Sequence, residues 1–328
     1  MDVVSKFLVG AGKRDAVTKT PAMNKWISVF REEREFDGIK ENTIIGDLTK
    51  LGVFLEFAQQ RLEKEPDELY KTDFIKFFNY LEKERKISKN TQNRYFNLLK
   101  VFYRAFKLDN FMDFRDESNE RKRFSSSRIE VKHYDAITEQ DLNLVIAKIF
   151  ENQSSTKIRD LVVIRMLWDT GARVSEVLNL KYEDCDFENG EFRLRNTKSH
   201  EERKVVCSSD TLELLKCLAS YNFKKEPKDY LFQSTNQENL GKIADRNQIT
   251  RTFGRAVDKL KEEEKIQQNK RYVVHSLRHG RAVDLLNKGV PIDVVKEILG
   301  HRSLETTLYY SHSRQRKEQM LQDIKKLL

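Results

Sequence analysis

YEDCDFENGEFRLRNTKSHEERKVVCS, residues 182–208, is where a helical chain turns to the two-residue period of a β-sheet. Asn189-Gly190 lies between two short β-type runs, and that dipeptide tolerates the backbone that tight hairpin turns demand. Phe192 and Leu194 alternate with polar residues, and Val205, Val206 and Cys207 supply a third run. The stretch predicts a small antiparallel sheet of three strands, with Lys198 in the turn between the second and third.

Upstream, apolar residues follow helical spacing. Met23, Trp26, Ile27 and Phe30 recur at i, i+3, i+4, i+7 behind Pro21, which suits a first helical turn. Leu48, Leu51 and Leu55 repeat the pattern, as do Phe74, Phe77, Phe78 and Leu81. Tyr95, Leu98, Phe102 and Phe106 do so again, with Ser88 placed as an N-cap. Four amphipathic helices from Pro21 to Lys107 predict a bundle whose polar faces carry Lys50, Lys89, Arg94, Lys100 and Arg104. Taken singly, each of these cations reads first as part of a solvated face.

The periodicity lapses from residue 108, and the polar, serine-containing run that follows reads as a linker. This gives an N-terminal extension (1–20), a helical domain (21–114), a basic linker (115–135) and a second domain (136–328). In the second, Thr138 with Asp141 three residues on resembles a helix-starting box. KIRDLVVIRMLWDTGARVSEVLNL is helical with a break at Gly171, and beyond Thr211 the chain reads mainly as helix. The expected fold class is mainly α: an N-terminal helical bundle plus an α+β domain holding the small three-stranded antiparallel sheet.

The 328 residues are 38% hydrophobic and 34% charged, with mean hydropathy −0.69, which gives sizeable cores inside a heavily solvated surface. No apolar run approaches the roughly 18 residues of a membrane span, and the N-terminus fits a secretory signal poorly, so a cytoplasmic location is expected. Cys185, Cys207 and Cys217 are widely spaced and odd in number, which argues for buried free thiols over disulfides or a zinc site. A net charge of +9 suggests a polyanionic partner.

Five spots in the second domain can do chemistry, and each also has a bland reading. Arg173 and Glu176 form an ordinary i, i+3 pair. Lys198 reads as a turn lysine beside Arg203 and Lys204. His275 and His279 stand at i, i+4, which a metal site can use, without the carboxylate that usually accompanies it. His301 follows Gly300, where it can cap a helix, and Tyr309 and Tyr310 can both be core. Taken together, the arginines Arg173 and Arg278, the histidines and the lysine are a kit for holding a phosphodiester. Arginine offers paired donors to phosphate oxygens, histidine moves a proton near neutral pH, and lysine can protonate a leaving oxygen. A deprotonated tyrosine is the nucleophile. So much cationic charge makes a metal or other cofactor unnecessary.

TGARVSEVLNL (170–180), the hairpin lysine, HSLRHG (275–280) and LGHRSLETTLYYSH (299–312), in this order, resemble the tyrosine recombinase (phage integrase) family, in its integrase and chromosome-dimer-resolving branch. The likeness covers the second domain closely. It covers the first more loosely, where the segment from Ser88 resembles the last helix of the family's core-binding domain. It implies that Arg173 and Arg278 clamp the scissile phosphate and that His301 donates to it. His275 helps deprotonate or hold the tyrosine, and Lys198 protonates the leaving 5′ oxygen, with Arg203 and Lys204 as rivals. Tyr310 attacks to form a 3′-phosphotyrosyl link, while Tyr309 packs. Glu176 orients neighbouring basic groups, and Lys89, Asn90 and Arg94 face DNA.

The implied partners are double-stranded attachment sites, a homo-tetramer in the synaptic complex (monomer or dimer when free) and an accessory DNA-bending protein. The apolar stripe of the tail, Met320, Leu321, Ile324, Leu327 and Leu328, is expected to dock on a neighbouring protomer or on its own domain. Rival readings are a type IB topoisomerase-like nicking-closing enzyme, a metal-dependent phosphoesterase using His275, His279 and His301, and a DNA-binding accessory protein without catalysis.

Overall fold

The computed structural model describes residues 20–124, 134–195 and 202–300. The chain divides into two compact units, Met1–Lys132 and His133–Leu328. Among the described residues no helix is long and apolar enough to cross a membrane.

The first unit holds α1 (Pro21–Phe36), α2 (Glu41–Leu62), α3 (Lys71–Lys83), α4 (Lys89–Ala105) and α5 (Met112–Glu120). Starts follow from caps: the Thr20 hydroxyl accepts from the Met23 N–H, and the Ser88 hydroxyl from that of Thr91. The core is dominated by phenylalanine, with Phe30, Phe54, Phe74, Phe77, Phe78 and Phe102 all buried. Their rings meet mostly edge to face, as Phe54 and Phe77 do at 5.1 Å between centroids.

The linker reading of residues 115–135 needs correction at its start. α5 occupies Met112–Glu120, and Phe111 and Phe114 enter the same core. Two aromatics three residues apart are enough to bury one face of a short helix whose other faces are charged. The cations there are also engaged locally, Arg115 with Asp116 and Arg121 with Glu117.

The second unit holds α6 (Glu139–Phe150), α7 (Lys157–Thr170), α8 (Val174–Leu178), β1 (Cys185–Asp186), β2 (Glu191–Leu194), β3 (Arg203–Val206), α9 (Ser209–Tyr221), α10 (Arg246–Glu262), α11 (Val274–Asn287) and α12 (Ile292–Leu299). The three strands form one antiparallel sheet in sequence order, pairing Phe192 with both Cys185 and Val205. The β1–β2 turn is longer than a two-residue hairpin. Only Gly190 has positive φ, and the Asp186 carboxylate caps the loop by accepting from the N–H groups of Glu188 and Asn189.

Residues 222–245, expected to be mainly helical, are mostly irregular, with only a short 3-10 turn at Gln237–Asn239. This segment is fixed by isolated backbone pairings, Lys181 with Tyr230 and Gln233 with Ile243, and by side chains. Gln233 bonds the backbone of Lys224 and Tyr230, and its own carbonyl accepts from Arg159 Nη1 at 2.9 Å. Arg159 in turn pairs with Asp160, both buried, and Asp160 accepts from Thr156 and Thr252. The thiols also depart from expectation: Cys185 and Cys207 are half-buried and Cys217 is exposed. Burial pushes the Cys207 thiol up to about 12.

Candidate active site

α7 is apolar on nearly every face and is the buried rod of the second unit. It ends at Gly171, whose left-handed φ of +60° turns the chain sharply. A Cβ at Gly171 would stand 2.4 Å from Leu299 Cδ2, so the close approach of this turn to the end of α12 also requires glycine. The turn places Arg173 at the N-cap of α8. Its backbone N–H and its Nη1 both donate to Glu176, at 2.9 and 2.7 Å. Glu176 is only 2% exposed. Burial pushes its carboxyl up, but the Arg173 N–H and the Arg203 and Arg173 guanidiniums outweigh that and hold it below the ordinary range.

α11 carries HSLRHG, and its residues divide the work. The Ser276 hydroxyl accepts from the Val273 N–H and starts the helix. Arg278 is buried and donates Nη1 to the Gly171 carbonyl at 2.7 Å, which joins this helix to the turn before Arg173. His279 Nδ1 lies 3.0 Å from the Tyr134 carbonyl. At Gly280, a Cβ would stand 2.2 Å from the Ile137 carbonyl oxygen, so α11 can pack there only without a side chain.

His275, at the outer end of this helix, keeps an exposed edge. Burial by its packed neighbours, then the charges of Arg278, His279, Arg173 and Arg246, hold its imidazole down at about 4. Water at the exposed edge screens these charges, and the ring is a neutral imidazole at pH 7, free to accept a proton. Among the described residues no group of three or more His, Cys, Asp or Glu is placed to hold a metal ion. The neighbours of His275 are cations, which disfavour a divalent ion there.

The described part of the site therefore brings Arg173, Glu176, His275 and Arg278 together. Lys198, His301, Tyr309, Tyr310 and the apolar tail lie outside the described residues. Of the two rivals to Lys198, Lys204 is exposed and pairs with Glu191 at 3.0 Å. Arg203 turns inward and donates Nη2 to Glu176 at 2.9 Å and Nε to the Ile298 carbonyl at 3.2 Å. Sequence reasoning missed this second partner of Glu176. The strand alternation that buries Val205 sends Arg203 to the same face, but its reach to Glu176 depends on the pairing of β2 with β3. Arg246, at the start of α10, was also missed as a neighbour of His275.

On the first unit, the outward face of α4 carries Lys89, Asn90, Arg94, Asn97, Lys100 and Arg104, all exposed, and the helix contains no carboxylate. Lys89 is already paired with Glu82 at 2.6 Å. Gln92, on the opposite side of the helix, is buried and donates to the Ile87 carbonyl.

Comparison with known proteins follows the same division. The pattern of the phage integrase family matches residues 136–317, and that of the phage integrase N-terminal SAM-like domain matches residues 26–112. A probable integrase/recombinase protein of Methanocaldococcus jannaschii is 54% identical, over 96% of this chain and 94% of that one. The tyrosine recombinase XerA of Pyrococcus horikoshii is 26% identical, over 76% of this chain and 92% of its own. Among solved structures, the Tn1549 transposon integrase in complex with circular intermediate DNA shares the fold with a TM-score of 0.63 and 23% identity, covering 91% of this chain and 99% of that one. A lambda integrase dimer bound to a COC′ core site does so with a TM-score of 0.65 and 15% identity, covering 89% and 78%.

Proposed function

The chain belongs to the phage integrase family, and from that premise we propose that it is a site-specific DNA recombinase acting through a 3′-phosphotyrosyl intermediate on Tyr310. The observation that carries this reading is the convergence of Arg173, His275 and Arg278, with Glu176 fixing one arginine and the Gly171 carbonyl the other. Two guanidiniums beside a neutral imidazole suit a phosphodiester that gains negative charge as it reacts.

In the first step the Tyr310 oxygen bonds to the scissile phosphorus and the bond from phosphorus to the 5′ oxygen breaks. The tyrosine proton passes toward His275, and the leaving oxygen takes a proton from Lys198. Arg173, Arg278 and His301 hold the non-bridging oxygens. The tyrosine ester keeps the energy of the phosphodiester, so a 5′-hydroxyl of a partner strand reverses the step without ATP, for integration, excision or dimer resolution.

The helical domain, which extends through α5, acts as the core-binding domain, with the outward face of α4 on DNA. The segment that follows α5 connects it to the catalytic domain 136–328. Four copies assemble on two duplex attachment sites, helped by a DNA-bending protein, from monomers or dimers in the cytoplasm.

The test is incubation with a nicked suicide duplex of the attachment site in the presence of EDTA. A covalent adduct that survives denaturation, persists in Tyr309→Phe and is absent from Tyr310→Phe is expected. Cleavage that requires a divalent ion and leaves no adduct overturns the reading.

A further inference from the structure

We infer that Arg203 is a positioning residue, one guanidinium that sets both the carboxylate of Glu176 and the last turn of α12, and through them Arg173 and the chain entering His301. The inference rests on the recombinase reading above.

The geometry is a three-way fork. Nη2 bonds Glu176 Oε2 at 2.9 Å, and Nε bonds the Ile298 carbonyl at 3.2 Å. Nη1 is buried, has no hydrogen-bond partner among the described residues and lies against Gly300, where a Cβ would stand only 2.7 Å from it. Gly300 takes φ +68°, so two constraints select glycine there, the left-handed turn and the space the guanidinium fills. The side chain is 12% exposed and sits on the inner face of β3.

Glu176 is shared. Its Oε1 accepts from Arg173 Nη1, while its Oε2 accepts from the Arg173 N–H and from Arg203. Arg203 thus occupies the oxygen that could otherwise draw a second Arg173 guanidinium nitrogen away from phosphate. Lysine lacks the rigid spacing between Nε and Nη2, so its compact ammonium on a flexible stem does not hold Glu176 and the Ile298 carbonyl in one fixed plane. These two bonds commit the guanidinium to orientation, and a group ionised at any working pH is a poor proton donor to a leaving oxygen.

The experiment compares Arg203→Met, Arg203→Lys and Lys198→Ala on the nicked suicide duplex, reading DNA affinity and the single-turnover cleavage rate at saturating DNA separately. Each is repeated on a duplex whose scissile bridging 5′ oxygen is replaced by sulfur, a leaving group that needs no proton. Both Arg203 variants are expected to cleave about 100-fold more slowly, with DNA affinity within about threefold of wild type, on both duplexes. Lys198→Ala is expected to recover on the sulfur duplex. Where Arg203→Met fails to fold, Arg203→Lys, which keeps the charge beside Glu176, decides. A wild-type rate in Arg203→Lys, a loss confined to affinity, or recovery of Arg203→Met on the sulfur duplex overturns the inference. Absence of any adduct from the wild-type protein overturns the recombinase reading itself.

Discussion

Arg278 donates Nη1 to the carbonyl of Gly171 at 2.7 Å, joining two motifs that are 107 residues apart in the chain. The bond ties a buried guanidinium on α11 to the turn that delivers Arg173, so displacement of the turn displaces both arginines. Gly171→Ala puts a methyl group where Leu299 Cδ2 already stands and imposes a side chain on a left-handed backbone. The two effects together are expected to cost about 3 kcal/mol. The cleavage rate should fall by about 100-fold, because the phosphate clamp shifts with the carbonyl. Gly38→Ala is the control: its φ is +69° with nothing within 4 Å of the added Cβ, so it should lose about 1 kcal/mol and keep its rate. Thermal unfolding and adduct formation measure both quantities.

Asp160 lies under the irregular segment and is almost wholly buried, with Arg159 on one oxygen and Thr156 and Thr252 on the other. Asp160→Ala leaves the Arg159 charge buried and unpaired, and is expected to cost about 3–5 kcal/mol in denaturant unfolding. Replacing both partners, Arg159→Met with Asp160→Leu, should cost clearly less than the single change, because no charge is then stranded. A double variant as unstable as Asp160→Ala would show that the Gln233 and Thr252 contacts, and not the charge, carry the stability.

How much of this was legible in the sequence depended on the range of the interaction. The sheet was legible because Phe192, Leu194 and Val205 alternate within a few residues. α4 was legible because Ser88 announces its start. The second partner of Glu176 was not, since Arg203 reaches it only after β2 and β3 pair, and a run of charges from Glu201 to Lys204 reads as surface. α5 was hidden by its own charge density, which masked the pair Phe111 and Phe114. The segment 222–245 was hidden because its order comes from isolated backbone bridges and from the bonds of Gln233 and Arg159, which leave no periodic trace.

The outward face of α4 predicts a graded response to salt. Arg94 and Lys100 are exposed and pair with no carboxylate among the described residues, whereas Lys89 must leave Glu82 to reach a phosphate. Arg94→Ala and Lys100→Ala should each reduce the slope of log binding constant against log salt by about 0.9, and Lys89→Ala by clearly less. Titrations of labelled duplex from low to moderate salt give the slopes. Equal reductions for all three would mean that the Glu82 pair does not persist on DNA.

His275 sets a pH signature of its own. Its folded value of about 4 lies below the ordinary 6.5, first through burial and then through Arg278, His279, Arg173 and Arg246. Below pH 6.5 the unfolded chain therefore binds a proton that the folded chain refuses, and stability falls as pH drops from 6.5 toward 4. Unscreened, that window corresponds to about 3 kcal/mol. The exposed edge of the ring reduces the expected loss to about 1 kcal/mol. His275→Gln should flatten the stability curve in this window by that amount relative to wild type. Bound DNA reverses the sign: phosphate beside the ring favours imidazolium, so DNA binding near pH 6 should take up a proton in the wild type and not in His275→Gln. Calorimetric titration in buffers of different ionisation enthalpy counts that proton, and equal uptake by the two proteins would remove His275 from the phosphate site.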